Sequence, residues 1–87
     1  MNYIEFPLNQ QAAGTLVIVT MEGTESDVFL VDSANLASFK RGGRFTYVGG
    51  HFRRSPVRLT VPSSATWTAV VVPVGGRVHA SVQTIAA

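Results

Sequence analysis

The stretch "TWTAVVVPVGGRVHASVQTI", residues 66–85, holds two β-branched runs separated by a proline and a glycine pair. "TWTAVVV" (66–72) is short, apolar and β-branched, which reads as a buried strand. "PVGG" (73–76) reads as a hairpin turn, because glycine supplies the positive φ that tight turns require. "RVHASVQTI" (77–85) then alternates: Val78, Ala80 and Val82 point one way, Arg77, His79, Ser81 and Gln83 the other. Just upstream, "VRLTV" (57–61) alternates too, with Val57, Leu59 and Val61 inward and Arg58 and Thr60 outward. It joins the quoted stretch through "PSSA" (62–65), and the three segments are expected to form a meander.

The same period of two continues toward the N-terminus. "TLVIVTM" (15–21) and "DVFLVD" (27–32) read as strands around the turn-like "EGTES" (22–26). "RFTYV" (44–48), between two glycine pairs, reads as a further strand. "YIEF" (3–6) reads as an edge strand that Pro7 ends, since proline cannot donate to a ladder. Only "SANLASF" (33–39) reads as helix, with Asp32 or Ser33 capping its free N–H groups. The expectation is one all-β domain over residues 1–87, an antiparallel sandwich of six to eight strands with a short helical turn near 33–39.

Composition sets limits on function. Hydrophobic residues make up 46% and charged residues only 14%, which excludes a disordered chain. There is no cysteine, hence no disulfide framework and no thiolate metal site. Met1 is followed by Asn2, Tyr3 and Ile4, without the basic start of a secretory signal. The longest apolar run, "AVVVPV" (69–74), is far short of the roughly 20 residues that cross a bilayer. A cytoplasmic protein with no membrane contact is the expectation. All five acids lie in residues 1–32, and all seven Lys and Arg lie in residues 33–87. The two halves therefore meet either within one chain or across an oligomer, and the low charge favours self-association.

The segments "VFLVDSANLASFKRGGRFTYVGG", "SPVRLTVP", "WTAVVV" and "GGRVHASV" fall in order across roughly residues 28–82, and "VIVTMEG" precedes them. Together they resemble a small bacterial family known only as domain of unknown function number eighteen eighty-three. The resemblance implies a compact β-sandwich, found alone or joined to Toll/interleukin-receptor-like signalling modules. It supplies no catalytic residues. This chain has Ala65 where that family would place a glycine before the tryptophan, and a shorter last hairpin with Pro73 near an expected acidic position.

Lys40, Arg41, Arg44, Arg53, Arg54 and Arg58, interleaved with Phe39, Phe45, Tyr47 and Phe52, have the composition of an anion-binding surface. Guanidinium groups pair bidentately with phosphate, and aromatic rings stack on bases. The candidate ligand site is Lys40, Arg41, Arg44, Tyr47, Arg53, Arg54 and Arg58. A net charge of only +2 argues against nucleic acid, and solvated surface or protein contact is the plainer reading of these arginines. Gly42, Gly43, Gly49 and Gly50 read as turns, because no phosphate-loop Lys-Ser/Thr follows them.

The two histidines, His51 and His79, lie apart in sequence from every carboxylate, so no metal site is expected. Ser55 or Ser81 with Asp32 offers no nucleophile-elbow context, and no catalytic residue or cofactor is expected. Trp67 reads as core, with carbohydrate stacking alongside Tyr47 as its functional alternative. These readings give a non-catalytic interaction module that self-associates. The alternatives are a sensor of an anionic small molecule or nucleotide at residues 39–58, and a carbohydrate-binding module.

Overall fold

The computed structural model describes residues 2–87. Seven strands and one helix follow one another as β1 (Ile4–Gln11), β2 (Leu16–Gly23), β3 (Ser26–Asp32), α1 (Ser33–Lys40), β4 (Val48–Phe52), β5 (Val57–Thr60), β6 (Ala65–Pro73) and β7 (Val78–Ile85). They make a sandwich of two antiparallel sheets, a four-stranded one in the order β1-β6-β3-β4 and a three-stranded one in the order β5-β2-β7.

Alternation places the core. Val17, Val19 and Met21 of β2, Val57 and Leu59 of β5, and Val28 and Leu30 of β3 are buried between the sheets with Trp67, Ala69 and Val71 of β6. Removing each of these Val, Leu and Met side chains from water stabilises the fold by about 1.5–3 kcal/mol. The alternate residues of the four-stranded sheet, Phe29, Val31 and Val70, are buried on its outer face. There α1 and the following loop cover them with Leu36, Phe39 and Phe45. That is why "DVFLVD" and "AVVVPV" are apolar on both faces, whereas the β7 side chains from Val78 to Gln83 alternate between half-buried and exposed.

The expected meander does not form. β6 pairs with β1 and β3, whereas β5 and β7 both pair with β2. "PVGG" therefore carries the chain from one sheet to the other instead of turning a hairpin. A run buried on both faces needs a ladder partner on each side, and the neighbours β5 and β7 each alternate with one wet face. The strand expected at 44–48 also moves. Residues 43–47 are loop, and the strand is Val48–Phe52, with Gly49 and Gly50 inside it. Nor does Pro7 end β1, which continues to Gln11 through a register shift between Pro7 and Asn9. Edge position makes this possible, because a proline is tolerated on a strand that has a ladder partner on one side only.

The helix begins where its cap was expected. Asp32 accepts a hydrogen bond from the Asn35 N–H at 2.9 Å. It ends at Lys40 with Arg41 as its C-cap, and the next residue, Gly42, turns the chain into the loop at φ 75° while its N–H donates to the Phe39 carbonyl at 3.0 Å.

Candidate functional site

The outer face of the four-stranded sheet carries the feature that most resembles a site. Phe29 on β3, Phe39 on α1, and Phe45 and Tyr47 on the loop before β4 form one aromatic group, with Tyr3 edge-on to Phe39 at 5.1 Å. Within it Phe29, Phe45 and Tyr47 are almost equidistant, with ring centroids 5.4–5.6 Å apart. The loop holds this position because the Asn35 side-chain oxygen, one turn into the helix, accepts the Thr46 N–H at 2.8 Å. Phe45 is thereby pressed onto Phe29, and Tyr47 is left 52% exposed.

Asp27, Phe29, Phe45, Tyr47, Gly50 and His51 line a depression of about 330 Å³ beside these rings. Its polar wall is set by the β3–β4 register, which places Asp27 directly opposite His51. The His51 Nδ1 lies 2.9 Å from Asp27 Oδ1, and its Nε2 lies 3.4 Å from Glu25. Glu25 in turn meets Arg53 Nε at 3.2 Å. Hydrogen bonding to Asp27 holds the His51 imidazole above its ordinary value, against the opposing effect of partial desolvation, and Glu25 adds attraction. Because the folded value is raised, the stability this contact contributes is fully present below about pH 6.5 and fades as pH rises through the folded value. A proton-NMR titration is therefore expected to give His51 a midpoint above that of a free histidine, and Asp27→Asn should bring it down. An unchanged midpoint in the variant would show that the pair does not persist in solution.

The sequence-predicted ligand residues do not converge. Lys40, at the end of α1, bonds Glu5 of β1 at 2.8 Å, which raises its own pKa. Arg41 donates to the Ser38 hydroxyl at 3.3 Å. Arg44 is exposed on the loop after α1, and Arg53 is taken up by Glu25. Arg54 lies between β4 and β5. Arg58, between the core residues Val57 and Leu59, points outward from the other sheet. Of the seven residues, Tyr47 alone lines the depression. The charge-separated halves do meet within one chain, through Lys40–Glu5, Arg53–Glu25 and His51–Asp27. Trp67 is 5% exposed and faces the core, whereas Tyr47 is on the outer side, so the two cannot share a carbohydrate platform.

The chain matches the family described as Domain of unknown function (DUF1883) over residues 1–87. It belongs to that family. No curated protein and no solved structure matches it. In this DUF1883 domain the sequence-predicted ligand residues omit Asp27 and His51, which meet only through the register of a strand at Val48–Phe52, and Phe29 and Phe45, which meet across layers. The alternation of Phe45 and Tyr47 was the one signal that pointed there. Among the described residues no group of three His, Cys, Asp or Glu side chains is placed to hold a metal ion. No helix among them is long and apolar enough to cross a membrane.

Proposed function

We propose that this DUF1883 domain is a non-catalytic assembly module that pairs with a second copy of itself along β7. The observation that carries the reading is the contrast between β7 and the other three sheet edges. A free edge offers unpaired N–H and C=O groups, and proteins blunt such edges with proline, bulges, charge or shortness. β1 has Pro7, a register shift and Asn9 at φ 62°. β4 has five residues and contains Gly49 at φ 147°. β5 has four residues and carries Arg58. β7 runs for eight residues in unbroken register with β2, without proline, glycine, Asp, Glu, Lys or Arg.

The free groups of β7 can be assigned. The Thr24 N–H donates to the Arg77 carbonyl at 3.0 Å, so residues 77, 79, 81, 83 and 85 direct their backbone toward β2. The Met21 N–H bonds the Ser55 hydroxyl on the opposite side, at 2.8 Å, in keeping with that alternation. Val78, Ala80, Val82 and Thr84 then direct theirs to the open edge. An antiparallel copy related by a two-fold axis at Ser81 sets Ala80 against Val82 and Val78 against Thr84. His79 meets Gln83, no two charges oppose, and the small sheet becomes six strands wide. Since the ion pairs are satisfied within the chain, the association rests on backbone and apolar contact and resists salt.

Ser81 is exposed and its side chain is free of core contacts, which makes it the probe. Sedimentation analysis should find a dimer for the wild type, and monomers for both Ser81→Lys and Ser81→Glu. An equimolar mixture of the two variants should sediment as a dimer, because opposite charges then face each other across the axis. A wild type that stays monomeric at high concentration, or single variants that remain dimeric, would refute the pairing.

A further inference from the structure

We propose that the cup formed by Phe29, Phe45 and Tyr47 binds a quaternary ammonium group, with the Asp27 carboxylate as its counter-charge. The three rings line one depression and are tilted to one another by 39°, 45° and 55°, so they do not form the flat platform a sugar ring stacks on. Centroids separated by 5.4–5.6 Å leave a position above the trio that is close to all three at once. A cation seated there lies about 5 Å from each ring, inside the roughly 6 Å over which an aromatic face attracts positive charge. Each ring face carries the negative part of a quadrupole, so every face turned to the depression adds to the attraction.

The surrounding charges select the same class of ligand. Asp27 lines the same depression, and Glu25 lies behind His51. The nearest fixed cation in this network, Arg53, is already engaged by Glu25. An anion would meet a carboxylate at the wall, whereas a trimethylammonium group meets one and has no N–H that must be satisfied. Its methyl groups also suit the apolar floor. A depression of about 330 Å³ is at the small end of ligand pockets and holds a group of choline size with room for its tether.

His51 supplies a second readout. The charged groups facing it are Asp27 on β3 and Glu25 on the turn before β3, with Arg53 reached through Glu25. A protonated His51 competes with the ligand for Asp27, so ligand affinity rises as His51 loses its proton. Bound ammonium accordingly lowers the midpoint of the His51 titration.

The test is calorimetric titration with choline and with its neutral isostere 3,3-dimethyl-1-butanol, followed by NMR titration of His51. Choline should bind at least about fivefold more tightly than the alcohol, the ratio expected for a cation–π attraction of ordinary strength. Tyr47→Ala should weaken choline about tenfold and Tyr47→Phe by less than about twofold, since phenylalanine keeps the ring face. Asp27→Asn should weaken choline while leaving the alcohol unchanged. Tyr47 is half exposed, so its truncation leaves the core intact. A trimethyl-lysine peptide run beside choline distinguishes a protein-borne from a free ligand by which of them binds more tightly. Equal binding of alcohol and choline, indifference to Tyr47→Ala, a stacked neutral sugar displacing choline, or no binding would each overturn the assignment. Ser81→Lys should bind choline normally, so failure of the assembly reading and failure of this one are read separately.

Discussion

Gly49→Ala is expected to be among the most damaging single substitutions in this protein, and Gly50→Ala, one residue later, nearly silent. Gly49 stands at φ 147°, a conformation that side-chain-bearing residues rarely adopt. It also sits opposite Phe29 on the neighbouring strand, and a Cβ there would overlap the Val28 carbonyl oxygen and the Phe29 Cα. These are backbone atoms of a strand paired on both sides, so they cannot give way as a side-chain tip would. Backbone strain of about 1–3 kcal/mol and overpacking of about 1–3 kcal/mol together remove much of the margin of a small domain. At about 4–8 °C per kcal/mol, thermal unfolding by circular dichroism should fall by about 10 °C at least. A Cβ added at Gly50 meets nothing within 4 Å, and that variant should melt within a few degrees of the wild type. If the two variants melt alike, β4 does not approach β3 as described.

The same glycine pair marks the boundary of what the sequence discloses. Period-two alternation located β2, β3, β5 and β7 and assigned faces to Val57, Leu59, Val78, Ala80 and Val82, because burial on a pleated strand repeats along the chain itself, and a short apolar β-branched run located β6. Asp32 at the helix start was equally legible, since its partner Asn35 is three residues away. Partner choice was not. Each chain-adjacent pair of strands is divided between the two sheets except β3 and β4, which α1 and a loop separate. Every ladder is therefore non-local, and a glycine between apolar runs looks the same whether the chain turns back or crosses over. Gly49 and Gly50 read as a turn for that reason, although the requirement for Gly49 is imposed by Val28 and Phe29 from another strand. The candidate site inherits this limit: Asp27 meets His51, and Phe45 meets Phe29, across ladders and layers that alternation cannot join. The arginines stood out by composition, but composition does not record that Glu5 and Glu25 already engage Lys40 and Arg53.

Trp67→Ala is expected to cost about 3–5 kcal/mol, the range for removing a buried aromatic side chain. Trp67 is 5% exposed, packs in the main core cluster with Leu8 and Val61, and donates its indole N–H to the Ser63 carbonyl at 2.8 Å. Its position makes the loss greater than that of an average core residue. β1 shifts register between Pro7 and Asn9, and Asn9 pairs with Trp67 itself. The extra residue of that bulge, Leu8, is buried in the same cluster, so the indole and Leu8 jointly hold an edge strand whose ladder is interrupted there. Emptying the site leaves a cavity under the bulge and removes the packing that compensates for it. The melting temperature should fall by about 12 °C or more, at about 4–8 °C per kcal/mol, and amide exchange across β1 should accelerate more than across β2. Trp67→Phe should retain most of the stability, losing ring volume and a single hydrogen bond whose acceptor belongs to an exposed bend. A Trp67→Ala protein that melts within a few degrees of the wild type would place Trp67 outside the core and reopen a surface role for it.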